Sequence, residues 1–228
     1  MDDLVCDALA RILAESSLFA VTQTEMLTAD LDTAVALLHR LVYAASVTVK
    51  NAPGTITYTE DDDYEVDYPE GTIAALTGGD IVDGQTLAVT YTYAAVYRDP
   101  PESLPDTPSA VVLETEGTAQ RAAYQGLFES LITARVIVYA APRVHLPEAI
   151  RAARPWAQRV LYLLATHSEL TVSGADEPLG EFQQATWVVG QSEYAKTGYA
   201  SVEVRATYRV DWQVYMTCSG IDTTTPPD

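Results

Sequence analysis

The chain has 228 residues, 48% apolar and 20% charged, enough for one large or two small folded domains and unlike a disordered chain. Its formal net charge is −19, and Lys50 and Lys196 are its only lysines, so its positive charge is almost all arginine. Such an acidic chain is repelled by phosphate backbones, which argues against stable nucleic-acid binding; it is compatible with DNA sliding past an acidic wall, or simply with solubility.

Residues 4–17 predict a helix, with Leu4, Val5, Ala8, Leu9, Ile12 and Leu13 on one face. Residues 29–44 repeat the spacing through Leu31, Ala34, Val35, Leu38, Leu41 and Val42, with Asp30 and Asp32 in the expected first turn. Period-two alternation begins at Ser46 and runs through Val47, Val49, Ile56, Tyr58, Tyr64, Val66 and Tyr68 to Leu87, Val89, Tyr91 and Tyr93. Turn signals at Asn51-Ala-Pro-Gly54, Gly78-Gly79 and Asp83-Gly84 divide it, so residues 46–97 predict a small antiparallel β unit.

Pro100, Pro101, Pro105 and Pro108 then predict a linker over residues 98–109. Ala110–Leu113 reads as a short buried strand, residues 118–131 fit a helix or a long strand interrupted by Gly126, and Arg135–Tyr139 alternates again. Pro147–His167 predicts a helix with Ile150, Ala153, Ala157, Val160, Leu161 and Leu164 inward and Pro155 kinking or restarting it. Tyr199–Tyr215 predicts a long two-faced strand, bent or bulged midway, with Phe182–Val189 as its partner; Thr223–Asp228 reads as a free tail. The expected class is α+β: N-terminal helices over 1–45, the small antiparallel β unit over 46–97, and over 98–228 a mixed sheet with helices packed on one face.

Few residues suggest chemistry. His39, His145 and His167 lack metal-ligand spacing, Cys6 and Cys218 make no disulfide framework, and no nucleophile elbow, phosphate loop or dinucleotide turn is present. The expectation is a protein that is not an enzyme and needs no cofactor or metal. Glu60, Asp61, Asp62, Asp63, Glu65 and Asp67 form an acidic cluster, but an EF-hand loop beginning at Asp61 would need glycine where Val66 stands, so a solvated hairpin loop is expected. Arg143, Arg151, Arg154 and Arg159 form an opposite cluster with Glu148 the only acid among them; Arg151, Arg154 and Arg159 project to roughly one side of the predicted helix, away from its apolar face. Arginine suits bidentate carboxylate pairing at interfaces, so the two clusters are candidate complements between subunits. A face carrying local ion pairs worth little each is the plainer alternative, and a DNA-phosphate site, opposed by the surrounding net charge, is a third. Met1-Asp2-Asp3 lacks the basic start of a secretory signal and no apolar run approaches a membrane span, so synthesis in a cytoplasm is expected.

Two segments carry a resemblance. Tyr64-Glu-Val-Asp-Tyr68, Gly71-Thr-Ile73, Ile81-Val-Asp-Gly84 and Val89-Thr-Tyr-Thr-Tyr93 resemble a small β module inserted in many phage virion proteins. From Arg98 on, the order is similar to that of the tail-terminator proteins of long-tailed bacteriophages: a proline-rich lead-in, Ala110–Leu113, Arg135–Tyr139, a helix carrying Ala153-Arg-Pro-Trp156, and a long terminal strand. The resemblance implies a virion protein assembled in the host cytoplasm, with a homo-oligomeric ring, usually hexameric, at the tail neck. Its implied partners are itself, the tail-tube protein and a head-completion or connector protein, with DNA passing through the lumen and no membrane. The alternatives are another neck, tube or connector subunit, or a surface-binding β module presenting Tyr58, Tyr64, Tyr68, Tyr91 and Tyr93.

Overall fold

In chain order the elements are α1 (Asp2–Glu15), β1 (Ala20–Thr28), β2 (Ala34–Ala36), β3 (Thr48–Asn51), β4 (Tyr64–Asp67), β5 (Thr72–Ala75), β6 (Thr86–Ala94), β7 (Val96–Tyr97), β8 (Ser109–Leu113), β9 (Gly117–Arg121), β10 (Phe128–Pro142), α2 (Leu146–Thr166), β11 (Glu169–Leu170), β12 (Gly180–Tyr194) and β13 (Thr197–Asp211). The computed structural model describes residues 2–98, 101–102, 104, 107–113, 117–121, 128–142, 146–171, 178–194 and 197–211. The class is α+β, as the residue patterns predict. Two compact units divide the chain: Met1–Leu18 with Ala95–Asp228, and Phe19–Ala94.

The first unit is built on a seven-stranded sheet of order β11-β12-β13-β10-β8-β7, with β9 also pairing β10. Its pairings are antiparallel except β7 with β8, so the sheet is mixed. Alternation decides its faces. Val202, Val204, Ala206, Tyr208 and Val210 of β13 have no exposure, whereas Arg205 and Arg209 between them reach solvent. The register sets Val136 and Val138 of β10 opposite Val204 and Val202, extending the apolar face. Onto it α2 lays Ala153, Ala157, Val160 and Leu164, all fully buried. The two alanines leave little bulk between helix and strands, and each buried Val or Leu contributes about 1.5–3 kcal/mol. The register shifts between Phe182 and Gln184 of β12 and between Tyr139 and Ala141 of β10, the irregularity that long twisted strands accommodate.

α1 buries Val5, Leu9 and Leu13 and touches β7, β8, β10 and β11. Arg98 reaches Asp7 of α1 at 2.8 Å, while Tyr97 packs on a cluster of Leu104, Val111, Tyr139 and Tyr199. Because adjacent residues of an extended chain point oppositely, both helices lie on one face and the tyrosine cluster on the other. The proline-rich stretch is therefore more than the linker expected of it: Leu104 is part of that cluster, and the Tyr194 hydroxyl donates to the Pro101 carbonyl.

The Phe19–Ala94 unit holds two three-stranded sheets, β1-β6-β3 and β2-β5-β4. Leu87, Val89, Tyr91 and Tyr93 of β6 are buried, as their alternation predicts. Cross-strand hydroxyl pairs, Thr22 with Thr92 at 3.0 Å and Thr24 with Thr90 at 2.8 Å, line the other face of β6. This unit begins at Phe19 rather than Ser46, and the helix expected over 29–44 is absent. In its place are β2 and turns, with positive φ at Asp32 and Leu41, while Leu38 and Leu41 stay exposed. β1 pairs with β6 along all nine of its residues.

Candidate interaction site

The outer side of α2 gathers the helical arginines. Arg151, Arg154 and Arg159 are exposed, and none is ion-paired with another described residue. Arg159 lies over the Trp156 ring at 5.0 Å, which holds its guanidinium against the helix. Arg151 donates to the Pro147 carbonyl at 3.5 Å, a long contact that leaves most of its fork unused. Ile150, expected inward, is 38% exposed, and Tyr162 is 73% exposed on the same helix. Arginine and aromatic side chains are enriched at protein–protein interfaces, and α2 exposes both. Arg143 lies outside the described residues.

The acidic cluster divides into two kinds of residue. Asp63 is buried, contrary to its expected place on an interface: its carboxylate accepts the Thr59 and Asp80 backbone N–H groups, both at 2.7 Å. These bonds, Asp80's first, hold its carboxyl below the usual carboxylate range. Glu60 accepts the Tyr68 hydroxyl at 2.6 Å. Asp61, at φ 70°, and Asp62 are exposed in the loop before β4. Glu65 and Asp67 are exposed on β4, at the side of a shallow groove also lined by Ala34, Thr72 and Ala74. Asp67 also accepts the Glu70 N–H at 3.1 Å. Val66, Tyr68 and Pro69 line the rest of the groove. Among the described residues, no three His, Cys, Asp or Glu side chains converge to hold a metal ion.

The tyrosines considered as stacking surfaces are mostly inside. Tyr58, Tyr64, Tyr91 and Tyr93 are buried and Tyr68 is half-buried. Burial, with the nearby Glu60 charge second, pushes the Tyr64 hydroxyl up to about 12. His39 lies in a turn segment, not a helix, and stacks on Tyr93 with centroids 3.8 Å apart. His167 directly follows α2, its Nδ1 3.0 Å from the Leu163 carbonyl. Cys6 is a buried thiol beside the Leu113 carbonyl; His145 and Cys218 lie outside the described residues.

Residue patterns missed two features. β12 pairs with β13 on one side, but on the other only Glu169 and Leu170 of β11 meet it, at Glu181 and Gly180. Beyond them its edge has no strand partner among the described residues, and it carries Trp187 at 43% and Val188 at 70% exposure. The legible signal was the absence of charge from Phe182 to Ser192. β1 likewise ends its sheet, with no strand partner on its outer edge among the described residues.

A model of the family described as "Protein of unknown function UCP028589" matches residues 8–99, a span that takes in all of the Phe19–Ala94 unit. No curated protein matches the chain. Among the described residues no helix is long and apolar enough to cross a membrane.

Proposed function

We propose that the protein is a structural subunit of a phage virion, building a homo-oligomeric ring, hexameric by resemblance, at the neck of a tail, where it ends tube growth and joins tail to head. One observation carries the assembly reading: three exposed arginines on α2 have no acidic partner among the described residues, in a chain of net charge −19, on a helix that also exposes Ile150 and Tyr162. A chain with 32 acidic and 13 basic residues has carboxylates to spare, so cations with no acidic partner among the described residues are available to those of another copy. The neck assignment rests on the order of elements from Arg98 onward. Its partners would be further copies of itself, the tail-tube protein and a head-completion or connector protein. DNA would pass through the lumen unbound, and the protein would reside in the virion.

In this reading α2 of one copy meets the carboxylates of the next, Asp61, Asp62, Glu65 and Asp67. Two different surfaces then meet head-to-tail, which closes a ring when the rotation closes. The test is charge reversal. Replacing Arg151→Glu and Arg154→Glu together should abolish the oligomer in light scattering after size exclusion, and adding Glu65→Arg with Asp67→Arg should restore part of it. Unchanged assembly in the double arginine variant rejects the pairing.

A further inference from the structure

We infer that the edge of β12 from Gln183 to Ser192, beyond the Phe182 N–H that the Ser168 carbonyl accepts at 2.6 Å, is a strand-docking surface whose occupant is the β1 edge, Ala20–Thr28, of a second copy of this chain. This deepens the assembly reading and rests on it in one respect, that copies of the chain meet.

The edge offers a row of backbone donors and acceptors that only another extended strand fills in register. Proteins that leave such an edge bare protect it with lysine, proline or inward charge. Here the eleven residues from Phe182 to Ser192 hold no charge and no proline, and they expose Trp187 and Val188 on opposite faces. An uncharged, β-prone strand left open to water is an aggregation hazard unless it is covered.

Two edges of a second copy could cover it. Pairing β12 with itself, antiparallel and centred on the uncharged run, sets Glu181 of one copy against Glu193 of the other. It also stops at a two-fold dimer. The β1 edge avoids both problems. Its one charge, Glu25, is turned inward to accept the Leu38 N–H at 2.9 Å and the Tyr91 hydroxyl at 2.8 Å. Its exposed positions are Ala20, Thr22, Thr24, Met26 and Thr28. Pairing β12 of one copy with β1 of the next is head-to-tail, the geometry a ring needs.

The test is backbone hydrogen exchange on the full chain, read by mass spectrometry at concentrations below and above assembly. Peptides covering 182–192 and 20–28 should each slow about tenfold on assembly. Val188→Lys, at a solvent-facing position, should raise the concentration needed for assembly about tenfold or more. Protection of 182–192 with 20–28 unchanged overturns β1 as the occupant. An oligomer that protects neither segment overturns strand docking while leaving the assembly reading intact. A chain that stays monomeric at every concentration overturns both.

Discussion

Asp63 shows how far a residue's role can depart from its neighbours' charge. Five carboxylates near it in sequence made it look like surface, yet its oxygens tie the Thr59 and Asp80 N–H groups together across the loop. Asp32 does similar work, accepting the Thr77 hydroxyl at 2.5 Å and the Thr77 N–H at 3.0 Å, and both carboxyls are held below their ordinary value of about 3.9. A carboxyl depressed on folding contributes stability above its unfolded pKa and loses it as pH falls through the folded one. Urea unfolding between about pH 5 and pH 2 should therefore show a steeper loss in the native chain than in Asp63→Asn; equal slopes would contradict this. Gly71 is a backbone requirement of another kind. At φ 64° an added Cβ would sit 2.3 Å from the His39 carbonyl oxygen, so Gly71→Ala should cost at least about 2 kcal/mol in thermal unfolding. Tyr208 is buried with its hydroxyl unbonded among the described residues, and burial pushes its pKa up. Tyr208→Phe should be neutral or stabilise by up to about 1 kcal/mol, and a loss of that size would contradict its isolation.

At the level of elements, the strongly periodic segments were legible and the weakly patterned ones were not. α1, α2, β6 and β13 follow from apolar spacing because their inner faces are almost wholly apolar. Residues 29–44 carry helical spacing by coincidence. The turn between Asp30 and Thr33, closed at 3.3 Å, and the Asp32 carboxylate's bonds to Thr77 outcompete a helix whose Leu38 and Leu41 would find no partner. β1 escaped notice because its inner half-buried positions include Gln23 and Glu25, so hydrophobicity does not alternate although burial does. The arginine face of α2 was readable from spacing alone. Its lack of acidic partners among the described residues was not, because ion pairing depends on which strands and loops come near. Pro155 sits exposed in the interior of an unbroken α2, where it withdraws one backbone donor. Pro155→Ala should raise stability by up to about 3 kcal/mol, measured by chemical denaturation, and a loss would mean that the ring is needed where it stands.

For the whole molecule, the sign and placement of charge matter more than any single pair. A net charge of −19 makes copies repel, so assembly needs local contacts strong enough to overcome the long-range term. The proposed assembly has two such contacts: arginine against carboxylate, which salt weakens, and strand against strand, which it does not. Salt therefore acts in opposite senses, screening the repulsion and the arginine pairs together. Where the pairs dominate, raising ionic strength from about 0.05 to about 0.5 M should loosen the oligomer, most of all in Val188→Lys, whose strand contact is weakened. The mass of the native chain in solution tests the central claim most directly, by light scattering or native mass spectrometry over a wide concentration range. The account expects one closed multiple of 24.7 kDa that does not grow further with concentration. A species of 24.7 kDa at every concentration would contradict it.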